Sequence, residues 1–274
     1  MRGKTSINVP KIRLYNGQYI PQFGLGVYQI RDNSECEKVC LEAFKHGYRH
    51  IDTAHVYGNE KGVGAAVKKS GIPREEFYIT TKLWINDFGE GVSIKEVDEM
   101  LKRLGTNYID LLLLHWPKND YIGAYKDMEL AFKQGKVRSI GLSNFNVSQV
   151  EETMKMCKVK PAINQIELHP YAQRKDIVEV CKKYNIKIEP WYPIGHGDAG
   201  LLENPVFTKI AQKYKKTNAQ VILRWHIQKG YIVFPRSRNY DHIKENIDIF
   251  NFRLTRDEMQ EIDNLDKQKL YVNW

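Results

Sequence analysis

The sequence predicts an α/β fold of the (β/α)8 TIM-barrel type, and three observations predict it. Apolar runs of strand length alternate with amphipathic helical stretches eight times. The alternation occupies about 250 residues, the length such barrels take as one unit. Polar residues without a packing role collect where the apolar runs end, the face on which these barrels place their sites. A doubly wound open sheet would produce a similar alternation.

The elements follow in order. An N-terminal β-hairpin comes first, its turn marked by Asn16-Gly17. The strand-like runs are Phe23–Val27, Tyr48–Asp52, Phe77–Lys82, Ile109–His115, Val137–Leu142, Ala162–Glu167, Ile186–Trp191 and Tyr231–Pro235. Several are apolar throughout, as strands covered on both faces should be. Between them the period becomes helical: Cys36, Val39, Cys40, Ala43 and Phe44 form one stripe, and Gly47 ends it. Capping boxes are expected at Ser93 with Glu96 and at Thr255 with Glu258. A short extra helix should follow the last strand, after the stretch FPRSRNYDHIKEN at 234–246. No Ser-, Pro- or Gly-rich linker and no shift of composition interrupts the chain, so residues 1–274 read as a single barrel domain.

Lys and Arg number 42 against 33 Asp and Glu, a formal charge of +9. The surplus suits an anionic partner without separating nucleic acid, membrane and phosphorylated cofactor. Its members are scattered on segments whose other face is apolar, which is the pattern of solvated helix surfaces. No segment interleaves basic with exposed aromatic residues, so nucleic-acid binding is not expected. The start, MRGKTSINVP, lacks a secretory apolar segment, and no stretch approaches the ~18 apolar residues of a membrane span. A cytoplasmic monomer without membrane attachment is the expectation. Cys36, Cys40, Cys157 and Cys181 make no C-x-x-C pair and read as buried free thiols on helix stripes.

The chemistry concentrates at three consecutive strand ends. Asp52, Lys82 and His115 each terminate an apolar run, and Tyr57 lies in the loop IDTAHVYGNE after the second. In a closed barrel these four converge. A carboxylate beside lysine keeps the ammonium charged, and the ammonium should draw the phenol of Tyr57 below its ordinary pKa of about 10. A phenol donor suits protonation of an oxygen that gains charge as its carbonyl is reduced, with His115 orienting that oxygen. Taken singly, Asp52 and Lys82 could be a structural ion pair, Tyr57 a loop residue and His115 a core histidine. His50-x-Asp52-x-x-His55 offers metal-ligand types, but His55 sits in a loop away from the strand face shared by the other two, and no metal is expected.

The stretch Asp52 to Glu60, together with TTKLW, LLLLHWP, GLSNF, NQIELHP and RSRNYDHIKEN, resembles the aldo-keto reductases, in the same order and over essentially the whole chain. The likeness is to short-loop bacterial and protozoan members, the diketogluconate reductases and prostaglandin F synthases. It implies NADPH-dependent reduction of aldehydes or ketones, with NADH as a weaker alternative; no G-x-G-x-x-G opens a helix here, so the phosphates need another site. By the family pattern Tyr57 is the general acid, Lys82 and Asp52 tune it, and His115 binds the carbonyl. Ser143, Asn144 and Gln165 fall on positions that hold the nicotinamide carboxamide, and Trp191 on the ring-stacking position. Tyr192 stands where many members have serine.

Tyr28, Val56, Trp84 and Trp116 match the family's pocket walls, though core packing is their other reading. The short connection after Trp116 and a tail ending soon after Leu265, with Tyr271 and Trp274, imply an open pocket for a small-molecule carbonyl: α-dicarbonyls, sugar-derived ketones or simple aldehydes. Arg236, Ser237, Arg238 and His242 map onto the residues around the cofactor 2′-phosphate, and Glu245 and Asn246 onto the adenine contacts. Arg236 replaces a lysine and adds a fork suited to phosphate. His242 replaces an arginine and carries full charge only near or below a histidine's ordinary pKa of about 6.5. A noncatalytic, cofactor-binding regulatory subunit of the same fold is the alternative that the resemblance allows.

Overall fold

The computed structural model describes residues 7–272; Trp274 lies outside the described residues. Strands β1 (Lys11–Arg13) and β2 (Tyr19–Pro21) form the antiparallel hairpin, with Ile12 opposite Ile20. Gly17 takes φ +87° in its turn, a conformation that glycine reaches without steric cost. The hairpin sets Leu14 and Ile20 against Tyr78, Leu111, Leu113, Ala162, Ile163 and Ile232, an apolar plug at the N-terminal end of the barrel.

Seven parallel strands follow in sheet order: β3 (Leu25–Gly26), β4 (His50–Asp52), β5 (Tyr78–Leu83), β6 (Leu111–Leu114), β7 (Ile140–Ser143), β8 (Ile163–Glu167) and β9 (Lys187–Trp191). Each lies in or against an apolar run of the sequence. The eighth position is filled without a regular ladder. Bridges Phe23–Val233 and Gly26–Arg236 join residues 232–236 to the β3 edge, and Ile232 N–H donates to Ile188 O at 3.2 Å on the β9 side. Pro235 has no N–H to give, which is why the pairing there is intermittent.

Helices pack outside the strands and bury one face each against them. Asn33–Lys45 is capped by Asp32 and buries Cys36, Val39, Cys40, Ala43 and Phe44. The Thr255–Glu258 capping box is formed. The Ser93–Glu96 box is not: Val92 is the N-cap, Ser93 is already inside the helix and buried, and its hydroxyl donates to Asp87 O. The preceding glycines explain the offset, since Gly89 and Gly91 at φ +148° and +75° turn the chain so that the helix begins one residue early. Cys36, Cys40 and Cys181 are buried free thiols, whereas Cys157 is half-buried and caps the C-terminus of Val147–Met156 instead of joining its stripe. Among the described residues no helix is long and apolar enough to cross a membrane.

The extra helix is present as Tyr240–Ile247, capped by Asn239, whose side chain accepts from Asp241 N and His242 N. The loop after β4 is pinned from beneath by a buried asparagine. Asn59 donates to Val27 O and Ile30 O at 2.9 and 2.8 Å and accepts from the Thr53 hydroxyl at 2.6 Å. Replacing Asn59 with alanine strands these groups. The stability measured by chemical denaturation should fall by about 2–3 kcal/mol, and a loss below about 0.5 kcal/mol, the range of ordinary surface substitutions, would contradict this role.

Candidate active site

Strand register brings the tetrad together. Asp52 ends β4 and Lys82 lies near the end of its neighbour β5, where Asp52 pairs with Thr80, so both side chains enter the barrel mouth from adjacent strands. Lys82 is fully buried; its Nζ donates to Asp52 Oδ1 at 2.7 Å, to Thr53 O at 2.9 Å and to Tyr57 Oη at 3.5 Å. Burial pushes the Asp52 carboxyl up, and the Lys82 ammonium and the Gln165 amide pull against that shift.

Tyr57 reaches this point because residues His55–Tyr57 form one 3-10 turn, closed by Gly58 at φ +72°. Every polar residue of the surrounding motif has a partner that holds the turn. Asn59 anchors it as described, and Glu60 accepts from the Thr81 hydroxyl at 2.5 Å and from Arg103 Nε at 2.6 Å. His55 Nδ1 meets Asp87 Oδ2 at 2.6 Å, and the same oxygen accepts from Trp84 N–H at 3.2 Å, tying the Tyr57 turn to the Trp84 turn. His55 therefore points away from Asp52, while His50 is buried in the barrel against Thr80 Oγ1 at 3.0 Å.

One expectation is reversed. Loss of water around the Tyr57 phenol, followed by the charge of Asp52 and the neighbouring phenols of Tyr28 and Tyr192, pushes its pKa well above 10.0. Lys82 does not outweigh this, because its charge is already matched by Asp52 at shorter range. The phenol is thus fully protonated at neutral pH. His115, buried at the end of β6, is held well below 6.5 by burial and then by the Lys82 charge, so its imidazole is neutral. Its Nδ1 is buried without a hydrogen-bond partner among the described residues.

Above the tetrad opens a cleft of about 370 Å³. Asp52, Tyr57, His115, Ser143, Gln165 and Trp191 form its inner part; Tyr28, Val56, Trp84 and Trp116 wall it, and Arg236 stands at its rim. The wall is aromatic: ring centroids of Tyr28 and Tyr57 lie 5.0 Å apart, Trp84 and His115 5.1 Å, and Tyr57 and His115 5.8 Å. Tyr28 and Val56 are exposed, so the outer cleft is open.

The remaining predicted residues divide. Gln165 is buried and gives its Nε2 hydrogens to Asp52 Oδ2 at 2.8 Å and Glu189 Oε2 at 2.9 Å. Asn144, at φ +66°, is engaged within the protein at both ends: Nδ2 donates to His115 O and Ser143 Oγ, and Oδ1 accepts from Trp191 Nε1 at 2.8 Å. It holds the indole edge of Trp191, a role the resemblance does not supply. Tyr192 adopts φ +52° and packs on His196 with ring centroids 4.3 Å apart.

Outside the cleft lining, Ser237 and Asn239 bond each other, Arg238 donates to Gln29 O and faces Glu35, and His242 is exposed on the first turn of the extra helix. Asn246 is buried, and the half-buried Glu245 accepts from the Thr217 hydroxyl at 2.7 Å.

Two features escape sequence reasoning. Glu189, two residues before Trp191, shares its inward face by the two-residue strand period, and that alternation is the signal that could have found it. Glu167 accepts from the backbone N–H groups of Tyr271 and Val272, and Tyr271 Oη donates to Asp198, so the C-terminal segment is fastened beside the loop after β9.

The donor set fits a reduced nicotinamide dinucleotide: a flat indole with its edge fixed, a buried amide and hydroxyl beside it, and an arginine at the rim. The chain matches the model of the Aldo/keto reductase family over residues 22–267. It is 43% identical over 260 residues to a 9,11-endoperoxide prostaglandin H2 reductase of Trypanosoma cruzi, covering 94% of this chain and 92% of that protein. It is likewise 43% identical to a glyoxal reductase of Bacillus subtilis, covering 94% and 93%. The crystal structure of a Bombyx mori aldo-keto reductase in complex with NADP superimposes with a TM-score of 0.92 at 33% identity, covering 97% of this chain and 96% of that one. Sequence, barrel and strand-end constellation agree, and the chain belongs to the aldo/keto reductase family.

Proposed function

We propose that this protein is an NADPH-dependent reductase that converts small aldehydes and ketones to alcohols. The observation that carries the reading is the fully buried Lys82, bonded to Asp52 and to the phenol of Tyr57 directly beneath an open aromatic cleft. When bound, NADPH supplies the hydride that adds to the carbonyl carbon.

The chain's own residues do the rest. Tyr57 is kept protonated and lies at the inner end of the cleft, so it can give its proton to the oxygen as that oxygen gains charge. Lys82, 3.5 Å from the phenol oxygen, stabilises the phenolate left behind, and Asp52 holds Lys82 in place. Neutral His115 offers an N–H to the carbonyl oxygen and orients it. Ser143 and Gln165 would meet the carboxamide of the cofactor, and Trp191, steadied by Asn144, would stack on its ring. Arg236, Ser237, Arg238 and His242 would surround the 2′-phosphate. Glu245 and Asn246 would meet the adenine, with Glu245 Oε2 left beside the oxygen that accepts from Thr217. The exposed walls at Tyr28 and Val56 suit small or polar substrates such as α-dicarbonyls better than one bulky ligand.

Steady-state assays with NADPH and a panel of methylglyoxal, simple aldehydes and sugar-derived ketones should show turnover. Tight NADPH binding without turnover of any of them would overturn the reading. Tyr57→Phe should lower kcat by roughly a hundredfold to ten-thousandfold, the usual worth of positioned acid catalysis, and leave the NADPH dissociation constant near that of the wild type. A matching loss of cofactor binding would contradict the assignment. His242→Arg should raise the ratio of kcat/KM with NADPH to that with NADH; an unchanged ratio removes His242 from the phosphate site.

A further inference from the structure

Deep in the barrel mouth, one carboxyl group is used by no step above. Glu189 is completely buried on β9, in register with Gln165 on β8, and both side chains point into the barrel. The groups around it are Asp52 and His50 from β4, Tyr78 and Lys82 from β5 and Gln165 from β8. Its Oε2 accepts from Gln165 Nε2 at 2.9 Å. Its Oε1 has no hydrogen-bond partner among the described residues and lies 3.6 Å from His50 Nε2.

A buried carboxyl is costly, and an apolar residue of similar size would fill the same space without that cost. Gln165 shows what the group provides. A side-chain amide has two N–H donors at one end and a carbonyl acceptor at the other. Asp52 takes one hydrogen of Nε2 and Glu189 takes the second, so both donors are engaged inside the barrel. Gln165 also lines the cleft, and the end left for a ligand there is the carbonyl. The reversed amide would set its oxygen against the Asp52 carboxylate, which pairs with Lys82 and has no hydrogen to give. With Asp52 alone, one N–H would be buried without a partner and the amide plane could turn about its last torsion.

We propose that Glu189 is a positioning residue, which from the floor of the site locks the Gln165 amide so that its carbonyl oxygen faces the amide N–H of the bound nicotinamide. Burial first, and then the charge of Asp52, push the Glu189 carboxyl up to about 8, so near neutral pH it accepts from Gln165 without adding a second charge beside Asp52. The inference rests on the reading of the cleft as an NADPH site and extends it to a residue that never touches the cofactor.

The test compares NADPH with the reduced 3-acetylpyridine analogue, whose acetyl group has a carbonyl but no N–H to give to Gln165. Dissociation constants for both are measured by fluorescence titration on the wild type, Glu189→Leu and Glu189→Gln. The wild type should prefer NADPH. In Glu189→Leu, NADPH binding should weaken roughly threefold to tenfold, the worth of one net hydrogen bond, while analogue binding stays unchanged. Glu189→Gln, whose amide oxygen can still accept from Gln165, should keep the wild-type preference.

Equal weakening of both cofactors in Glu189→Leu, or no weakening of either, overturns the proposal, because a packing role does not distinguish an amide from an acetyl group. Loss of the preference in Glu189→Gln also overturns it. A wild-type protein that binds neither cofactor instead overturns the reading on which the proposal rests.

Discussion

A lysine ammonium held away from water in the mouth of the barrel is the constraint on which the site depends. Removing such a charge from water costs several kcal/mol, which must be offset by close and complete pairing. Lys82 achieves that with three acceptors for its three hydrogens: the Asp52 carboxylate, the Thr53 carbonyl and the Tyr57 hydroxyl. These come from one strand end and the loop that leaves it. The register between β4 and β5 and the path of that loop are therefore tied to the chemistry. A slip of one residue would turn Asp52 or Lys82 to the other face of the sheet.

The polar centre divides the barrel interior into two ends. Toward the N-terminal face, the hairpin and the apolar residues around Leu111, Leu113 and Ile163 close it. Between that plug and the cleft, His50, Thr80, Gln165 and Glu189 form a polar floor around the ion pair. The larger apolar core lies outside, between strands and helices. That outer layer supports an inner region whose polar groups are arranged for positioning, and Asn59, Glu60 and Asp87 extend the same arrangement into the loops.

Much of this was legible in the sequence. The runs Phe77–Lys82 and Ile109–His115 announce buried parallel strands because both their faces are covered, and their polar last residues stand out for the same reason. The stripe Cys36 to Phe44 predicts its helix face because only one spacing fits. What was not legible depends on burial and three-dimensional direction. The Tyr57 phenol rises instead of falling because enclosure and Asp52 outweigh an already paired lysine, and neither distance nor solvent access can be read from spacing. Ser93 looks like a cap until the glycine turns before it shift the helix start. Asn144 stands at positive φ and accepts from the Trp191 indole, a contact between two strand ends that its place in the sequence does not show. Glu189 is marked only by the two-residue alternation that sets it on the same face as Trp191, and its neighbours there become known only from the closed barrel.

The central claim is that the cleft above Lys82 carries out direct reduction of a carbonyl carbon with its oxygen protonated by the protein. The most direct measurement supplies NADPH carrying two deuterium atoms at nicotinamide C4, with methylglyoxal as substrate in ordinary water, and locates the label in the product by mass spectrometry and NMR. The account predicts one deuterium, bound to the carbon that was the carbonyl, and a hydroxyl proton drawn from solvent. An alcohol without deuterium on that carbon, or no alcohol at all, would contradict it.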